Sequence, residues 1–262
     1  MVDKLYVVHG MQRSGNHAII HWLMAQEKLF FINNIYPIKH VLEGQIEIEE
    51  NMDFQSWYER QLHQKYSGWR GWLKRPFKKR YPVLVSIEDH SLELRPFVQM
   101  PPRSFSLLIV RDPKNFFASR IRRAFKVEHP AYPREMNREM ERIREYWKMH
   151  AREFLGETDF LERRVGIYYN LWFVNQEYRR SISRQLGIRF SDKGKEKVTA
   201  YGGGSSFDSR SFDGQSDRMK VLTRYELLEG KEKELFEKVM EDKELLNLAE
   251  QLSQFENQWS ER

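Results

Sequence analysis

Residues 10–17 read GMQRSGNH, directly after the apolar run KLYVVH and directly before AIIHWL. A strand, a glycine-punctuated turn and a helix start in that order make an anion site, because free backbone N–H groups and the positive end of the helix dipole converge on one spot. Gly10 and Gly15 stand where the two glycines of the phosphate-binding pattern GxxxxGK[ST] would stand. The lysine and hydroxyl residue that complete the pattern are missing, and Asn16 and His17 sit in their place. In a nucleoside-triphosphate enzyme that lysine neutralises β and γ phosphates and that hydroxyl holds magnesium. Here the cation is Arg13, inside the turn. The stretch is either a broken nucleotide loop or an intact loop built for a different anhydride.

Working outward, apolar and β-branched runs at Leu5–Val8, Val83–Ile87, Leu107–Val110 and Val165–Tyr168 read as buried parallel strands. Each leads through a turn into a helical pattern. The first helix spans about Gly15 to Gln26, with Ile19, Ile20, Leu23 and Met24 on one face. The run after Val110 passes through Asp112 and Pro113 into another helix, with proline near the first turn, where a missing N–H costs least. Alternating strands and helices imply an α/β domain with a central parallel sheet covered on both faces. Ligands of such sheets bind beyond the carboxyl ends of the strands.

Two segments break this rhythm. The basic, tryptophan-rich stretch at about 40–81 reads as a lid or substrate-facing cap, or as a surface excursion with its tryptophans tucked into the core. The glycine- and serine-rich segment Tyr201–Arg218 has no periodicity and reads as a mobile linker or a loop wrapped over a ligand. From Arg134 to about Phe154 the glutamates and arginines recur at three or four residues, as on a solvated helix face.

With 262 residues the chain suits one domain over 1–262. The absence of cysteine excludes disulfides, thiolate catalysis and thiolate metal sites. The net charge of +6 favours anionic ligands without demanding nucleic acid, and none is expected as a partner. From Arg60 to Arg80 eight basic residues face no acidic one, which would draw a phosphate- or sulfate-bearing ligand or an acidic surface. No run approaches the ~20 apolar residues that span a bilayer, and the chain is read as soluble and cytoplasmic. Histidines are scattered without ligand spacing, so no metal site is expected.

Residues 13–23 resemble the 5′-phosphosulfate loop of sulfotransferases that use 3′-phosphoadenylyl sulfate (PAPS). That loop carries a basic residue, Ser-Gly-Thr-Thr, then a helix with an early Trp and Leu. This chain has Arg13, Ser14, Gly15, Asn16, His17, Trp22 and Leu23. Asn and His in place of the two threonines can still donate to phosphate oxygens. A second, independent stretch, LLIVRDPKNFFASR, is similar to the family's 3′-phosphate motif. It supplies Arg111, Asp112, Pro113 and Lys114, with Ser119 eight residues after the arginine. A strand-end guanidinium can grip a phosphate bidentately, and a hydroxyl just inside the next helix can complete it.

The family's Lys-Thr-His, whose histidine deprotonates the acceptor, corresponds to Glu88, Asp89 and His90 in VLVSIEDHSLEL. His90 is the first candidate base, since histidine titrates near neutral pH. Glu88 is the second, because some members of the family use glutamate; Asp89 or plain helix capping is the alternative. Tyr168 corresponds to the tyrosine that approaches the adenine, or else belongs to the core. Ser205, Ser206 and Arg210 fall where the family has its cofactor flap.

The resemblance implies a P-loop-type three-layer α/β/α domain. It implies PAPS as donor, adenosine 3′,5′-bisphosphate (PAP) as product and no metal. The acceptor would be a small molecule, lipid or carbohydrate bearing a hydroxyl or amine, possible anionic groups included. Two rivals stand beside it, a P-loop kinase or NTPase-like phosphotransferase and a non-catalytic module binding anionic lipid or nucleic acid through Arg60–Arg80. Neither the acceptor nor the oligomeric state can be read from these residues.

Overall fold

The computed structural model describes residues 2–65, 81–126, 134–198 and 204–260. β1 (Lys4–Gly10) is followed by α1 (Asn16–Gln26), β2 (Phe30–Ile32), α2 (Ile38–Leu42), β3 (Met52–Asp53) and α3 (Phe54–Lys65). Next come β4 (Val83–Glu88), β5 (Phe97–Gln99), β6 (Arg103–Val110) and α4 (Pro113–Lys126). After α5 (Arg134–Leu155), β7 (Arg164–Tyr168), α6 (Tyr169–Val174) and α7 (Gln176–Gln185), an irregular stretch leads to α8 (Gly230–Val239) and α9 (Lys243–Ser260).

Five strands form a parallel sheet in the order β2-β4-β1-β6-β7. Alternation along β1 divides the core between the two faces. Tyr6 and Val8 pack with Ile19, Ile20 and Leu23 of α1 and with α4, α5 and α9; Leu5 and Val7 pack with Tyr36, Phe54, Trp57 and Phe97. Burial of both faces explains why these strands read as continuous apolar runs in the sequence. The result is an α/β fold with a parallel central sheet flanked by helices.

The expected strands are present, each with slightly wider bounds. Three short ones were not expected: β2 on the sheet edge, and the small parallel pair β3 and β5. Two or three residues are too few to display alternation, and only their partners make them strands. The first helix begins at Asn16 rather than Gly15, which is its left-handed N-cap.

Part of the segment at 40–81 belongs to the core rather than to a cap. Phe54 and Trp57 of α3 are buried, and the Trp57 ring lies 5.9 Å from Phe54 and 5.1 Å from Phe97. Trp57 therefore has no face free to stack on a substrate. Arg60 pairs with Glu49 at 2.8 Å, and the Lys65 ammonium lies over the Phe30 ring. Trp69, Trp72 and the rest of the basic run lie outside the described residues. The charge-laced helix α5 likewise has a buried side, formed by Met140, Ile143, Trp147 and Ala151. Its Arg144 and Lys148 reach Asp242 at 3.1 and 3.2 Å, so these cations join α5 to the start of α9. Among the described residues no helix is long and apolar enough to cross a membrane.

His9 on β1 and His150 on α5 are buried close enough to repel each other when charged. Burial lowers His9 from 6.5 to about 3 and His150 to about 4. Both are neutral in the folded chain at a pH where the unfolded chain binds protons. Their contribution to stability is complete above about pH 6.5 and is lost as pH falls toward 4 and below. Urea midpoints measured from pH 7 to pH 4 should therefore decline, and His9→Phe should remove up to ~1.4 kcal/mol per pH unit of that slope. An unchanged slope would show that His9 titrates alike in both states.

Candidate functional site

The carboxyl ends of the central strands come level, with Gly10 in register with Glu88 on one side and Ile109 on the other. The chain then turns sharply, with Ser14 N–H donating to the Met11 carbonyl at 3.0 Å. Arg13 and Gly15 both take left-handed backbone conformations, with φ of 76° and 92°. A Cβ at Gly15 would also meet the Tyr169 ring at 2.1 Å, so glycine is required there by space as well as by φ. This turn presents its N–H groups at the start of α1, as an anion-binding loop must.

Four contacts hold the loop. Asp89 Oδ1 accepts the Gln12 N–H at 2.9 Å, while its Oδ2 pairs with Arg120 at 2.8 Å. Arg111 Nη1 donates to the Arg13 carbonyl at 3.0 Å, and Arg13 Nη1 donates to the Gly204 carbonyl at 2.9 Å. The loop is thus tied to β4, β6 and the late glycine-rich segment together. Asp89 is occupied as an anchor.

A cavity of about 320 Å³ opens beside the loop. Its lining includes Arg13, Gly15, His17 and Glu88 together with Arg111, Ser119, Ser205, Ser206 and Arg224. Tyr169, Trp172 and Phe173 supply an aromatic wall. The buried cations of this lining carry unusual electrostatics. Arg111 and Arg224 are both buried, and both donate to the Ser119 hydroxyl, at 3.3 and 3.4 Å. Arg111 otherwise bonds only neutral carbonyls, those of Arg13 and Val221, and has no carboxylate partner among the described residues. Arg224 touches Asp208 at 3.3 Å. Burial first, and then repulsion by Arg111, lower the Arg224 guanidinium to about 10; burial and neighbouring Arg123 and Arg120 bring Arg13 to about 10 as well. Both of these remain cationic at neutral pH. Two buried guanidiniums sharing one hydroxyl, with a single acidic neighbour, are arranged to receive a multiply charged anion.

Most of the residues singled out from sequence converge here. Arg13, Gly15, Asn16, His17, Glu88, Arg111, Ser119, Ser205 and Ser206 all line the cavity. Ser14 lies buried in the turn with its Oγ lacking a partner among the described residues, as does Ser206 Oγ. The Asn16 side chain donates inward to the Met11 carbonyl and to Glu88. His17 Nε2 lies 2.8 Å from Asn33 Oδ1. Ser205 Oγ accepts from Arg224 Nη2 at 2.9 Å and donates to Asp208.

Three residues stand apart. His90 is buried outside the cavity, its Nε2–H donating to the Tyr36 carbonyl at 2.5 Å. Burial lowers its pKa, against the opposing effects of that bond and of Asp89. Tyr168, the last residue of β7, points into the core against Phe154 and Phe255, and its next neighbour Tyr169 faces the cavity. The cavity-lining ring is thus one residue further along, where β7 gives way to α6. Arg210 is exposed and paired with Asp213 at 3.1 Å, and Arg224 takes the interior position instead. Asp112 caps α4, its Oδ1 accepting the Asn115 N–H at 2.8 Å.

Arg224 and Tyr169 line the cavity and were not singled out from the sequence. Nothing local marks Arg224, which sits in the unremarkable run VLTRYEL. The doublet Tyr168–Tyr169 spans the junction where β7 ends and α6 begins, and the second of its two buried rings lines the cavity. Glu88 is the one carboxylate among the described residues lining the cavity. Burial raises its pKa, while His17 and the hydrogen bond from Asn16 oppose the rise. Among the described residues no group of three or more His, Asp or Glu is placed to hold a metal ion.

No protein-family model and no curated protein sequence matches the chain. Solved structures with a similar backbone course include mouse sulfotransferase SULT7A1 complexed with PAP. It is 13% identical with a TM-score of 0.45, over 95% of this chain and 88% of that one. A sulfotransferase from Alicyclobacillus acidocaldarius is 11% identical with a TM-score of 0.42, covering 77% of this chain and 88% of that one. Retinol dehydratase, in complex with androsterone and inactive cofactor PAP, is 16% identical with a TM-score of 0.44, covering 92% and 81%. Likenesses this distant leave the chemistry to be judged on the residues of this chain.

Proposed function

We propose that this protein transfers a sulfuryl group from PAPS to a hydroxyl or amine of an acceptor. One observation carries the reading: Arg111 and Arg224 meet on Ser119 in a cavity that a phosphate-type loop also lines. Two sets of anion-binding groups and an aromatic wall in one cavity suit an adenosine with phosphate on both its 3′ and 5′ sides. The orphaned hydroxyls of Ser14 and Ser206 fit the same ligand. A nucleoside triphosphate held on the loop N–H groups would bring no second phosphate group for the two buried guanidiniums on Ser119, which is costly. Asn16 and His17, where a kinase-type loop has lysine and hydroxyl, argue the same way.

In this reading Arg13 and the loop N–H groups hold the 5′-phosphate, while Arg111, Arg224 and Ser119 hold the 3′-phosphate. The donor supplies an activated sulfuryl group, and the protein's task is positioning and neutralising charge. Glu88 takes the proton from the acceptor as its oxygen or nitrogen attacks. Glu88 is preferred to His90 because it lines the cavity beside Arg13, whereas the His90 ring is bonded to a carbonyl outside it.

Binding is the first test. PAP should raise the unfolding temperature more than Mg-ATP does, and Arg224→Ala should weaken PAP by about 30-fold or more, the loss expected when a buried charge contact is cut. Adenosine 5′-phosphate, lacking the 3′ group, should lose far less in the same variant. Stabilisation by Mg-ATP alone would defeat the proposal in favour of a kinase.

The base is tested by transfer of labelled sulfate from PAPS. Glu88→Gln should lower kcat by about 100-fold or more, with His90→Ala retaining most of it. The reverse pattern would restore His90, and full activity in both would remove each as base.

A further inference from the structure

Two departures from the familiar loop pattern, Asn16 and Glu88, touch each other. Asn16 Nδ2 donates to Glu88 Oε1 at 2.7 Å and to the Met11 carbonyl at 3.1 Å. Both partners accept, so the amide has one workable orientation: a flip would set its oxygen against a carbonyl and a carboxylate. Its Oδ1 is then buried without a partner among the described residues. That orphaned atom sits over Gly10, where a Cβ would lie 2.4 Å away. Gly10 is in turn the register partner of Glu88. Glycine at the end of β1 thus leaves the space that lets an asparagine at the start of α1 reach the end of β4.

We propose that Asn16 is the positioning residue of Glu88. Wedged over Gly10, its amide fixes the carboxylate beside the phosphate loop and favours the ionised, proton-accepting form. The inference rests on the reading of Glu88 as the base. It also gives a physical reason for asparagine where triphosphate loops carry lysine: the side chain serves the base, and anion binding falls to Arg13 and the backbone.

The other groups that act on Glu88 limit what else could set its charge. His17 on α1 and Arg120 on α4 favour the carboxylate, Asp89 disfavours it, and Arg13 in the loop interacts with it favourably. Arg120 is shared with Asp89 at 2.8 Å, and His17 lies on Asn33. Among the described residues, Asn16 is the side chain whose hydrogen bond to the Glu88 carboxylate is resolved.

The test follows the Glu88 side-chain carboxyl by carbon-13 NMR across pH, in full-length protein labelled at glutamate and assigned through Glu88→Gln. Asn16→Leu keeps the volume and removes the donor. Its Glu88 midpoint should lie about one pH unit above that of the wild type, the shift expected on losing one hydrogen bond to a charged group. Gly10→Ala displaces the amide from the other side and should move the midpoint in the same direction, so the proposal stays testable if one variant fails to fold. With PAPS as donor, the acid limb of the kcat profile should rise with the midpoint, while PAP affinity changes less than threefold. Midpoints that stay put in the folded variants overturn the proposal, as does a loss of PAP binding without a shift, the mark of a merely structural asparagine. A wild-type chain that transfers no sulfate would instead remove the proposed reaction. The titration would still decide whether Asn16 governs the protonation of Glu88.

Discussion

The buried guanidinium of Arg111 is the contact on which the carboxyl edge of the sheet depends. It leaves β6 and bonds the Arg13 carbonyl of the phosphate loop, the Ser119 hydroxyl of α4 and the Val221 carbonyl of the late segment. Its own carbonyl accepts from Trp147 Nε1 of α5 at 3.0 Å. Four separate parts of the chain are thereby located by one residue. All these side-chain partners are neutral, so burial of the charge is made tolerable by dipoles while the positive charge stays uncancelled. A site for an anion needs that combination. A carboxylate in the same place would give a more ordinary protein interior and a poorer binding end.

The neighbouring carboxylates Glu88 and Asp89 show how one turn separates two roles. Asp89 has a left-handed φ of 60°, which swings its side chain toward Gln12 and Arg120, where both oxygens are taken. Glu88 ends the strand proper and points over Gly10 to Asn16, facing the cavity. The first holds the loop in place and the second lines the cavity. Similar acids therefore carry different work because their backbones aim them at different surroundings.

Much of this was legible because it is local. The run before Gly10, the turn itself and the helix after it are contiguous, and so are Arg111, the capping Asp112, Pro113 and Ser119. Strand, cap and helix spacing bring those groups to one end of the sheet whatever the remaining chain does. The residues that escaped are those whose role depends on distant parts. Arg224 reaches Ser119 across 105 positions. Tyr169 and Tyr168 are adjacent letters on either side of the β7–α6 junction, and composition cannot choose which of the two buried rings lines the cavity. His90 had the right chemistry for a base, and its placement beside the Tyr36 carbonyl depends on how residues 33–36 cross the end of β4.

Taken alone, the sequence determined the alternation of buried strands and helices, the anion-binding turn after β1 and the basic strand end at Arg111, since each is set by short-range periodicity and backbone chemistry. Tertiary structure decided which second cation joins Arg111, which tyrosine walls the cavity and which acid or histidine faces the ligand space. Those choices depend on burial and on the direction of individual side chains. Both are properties of packing between segments far apart in the chain, and no local pattern of residues encodes them.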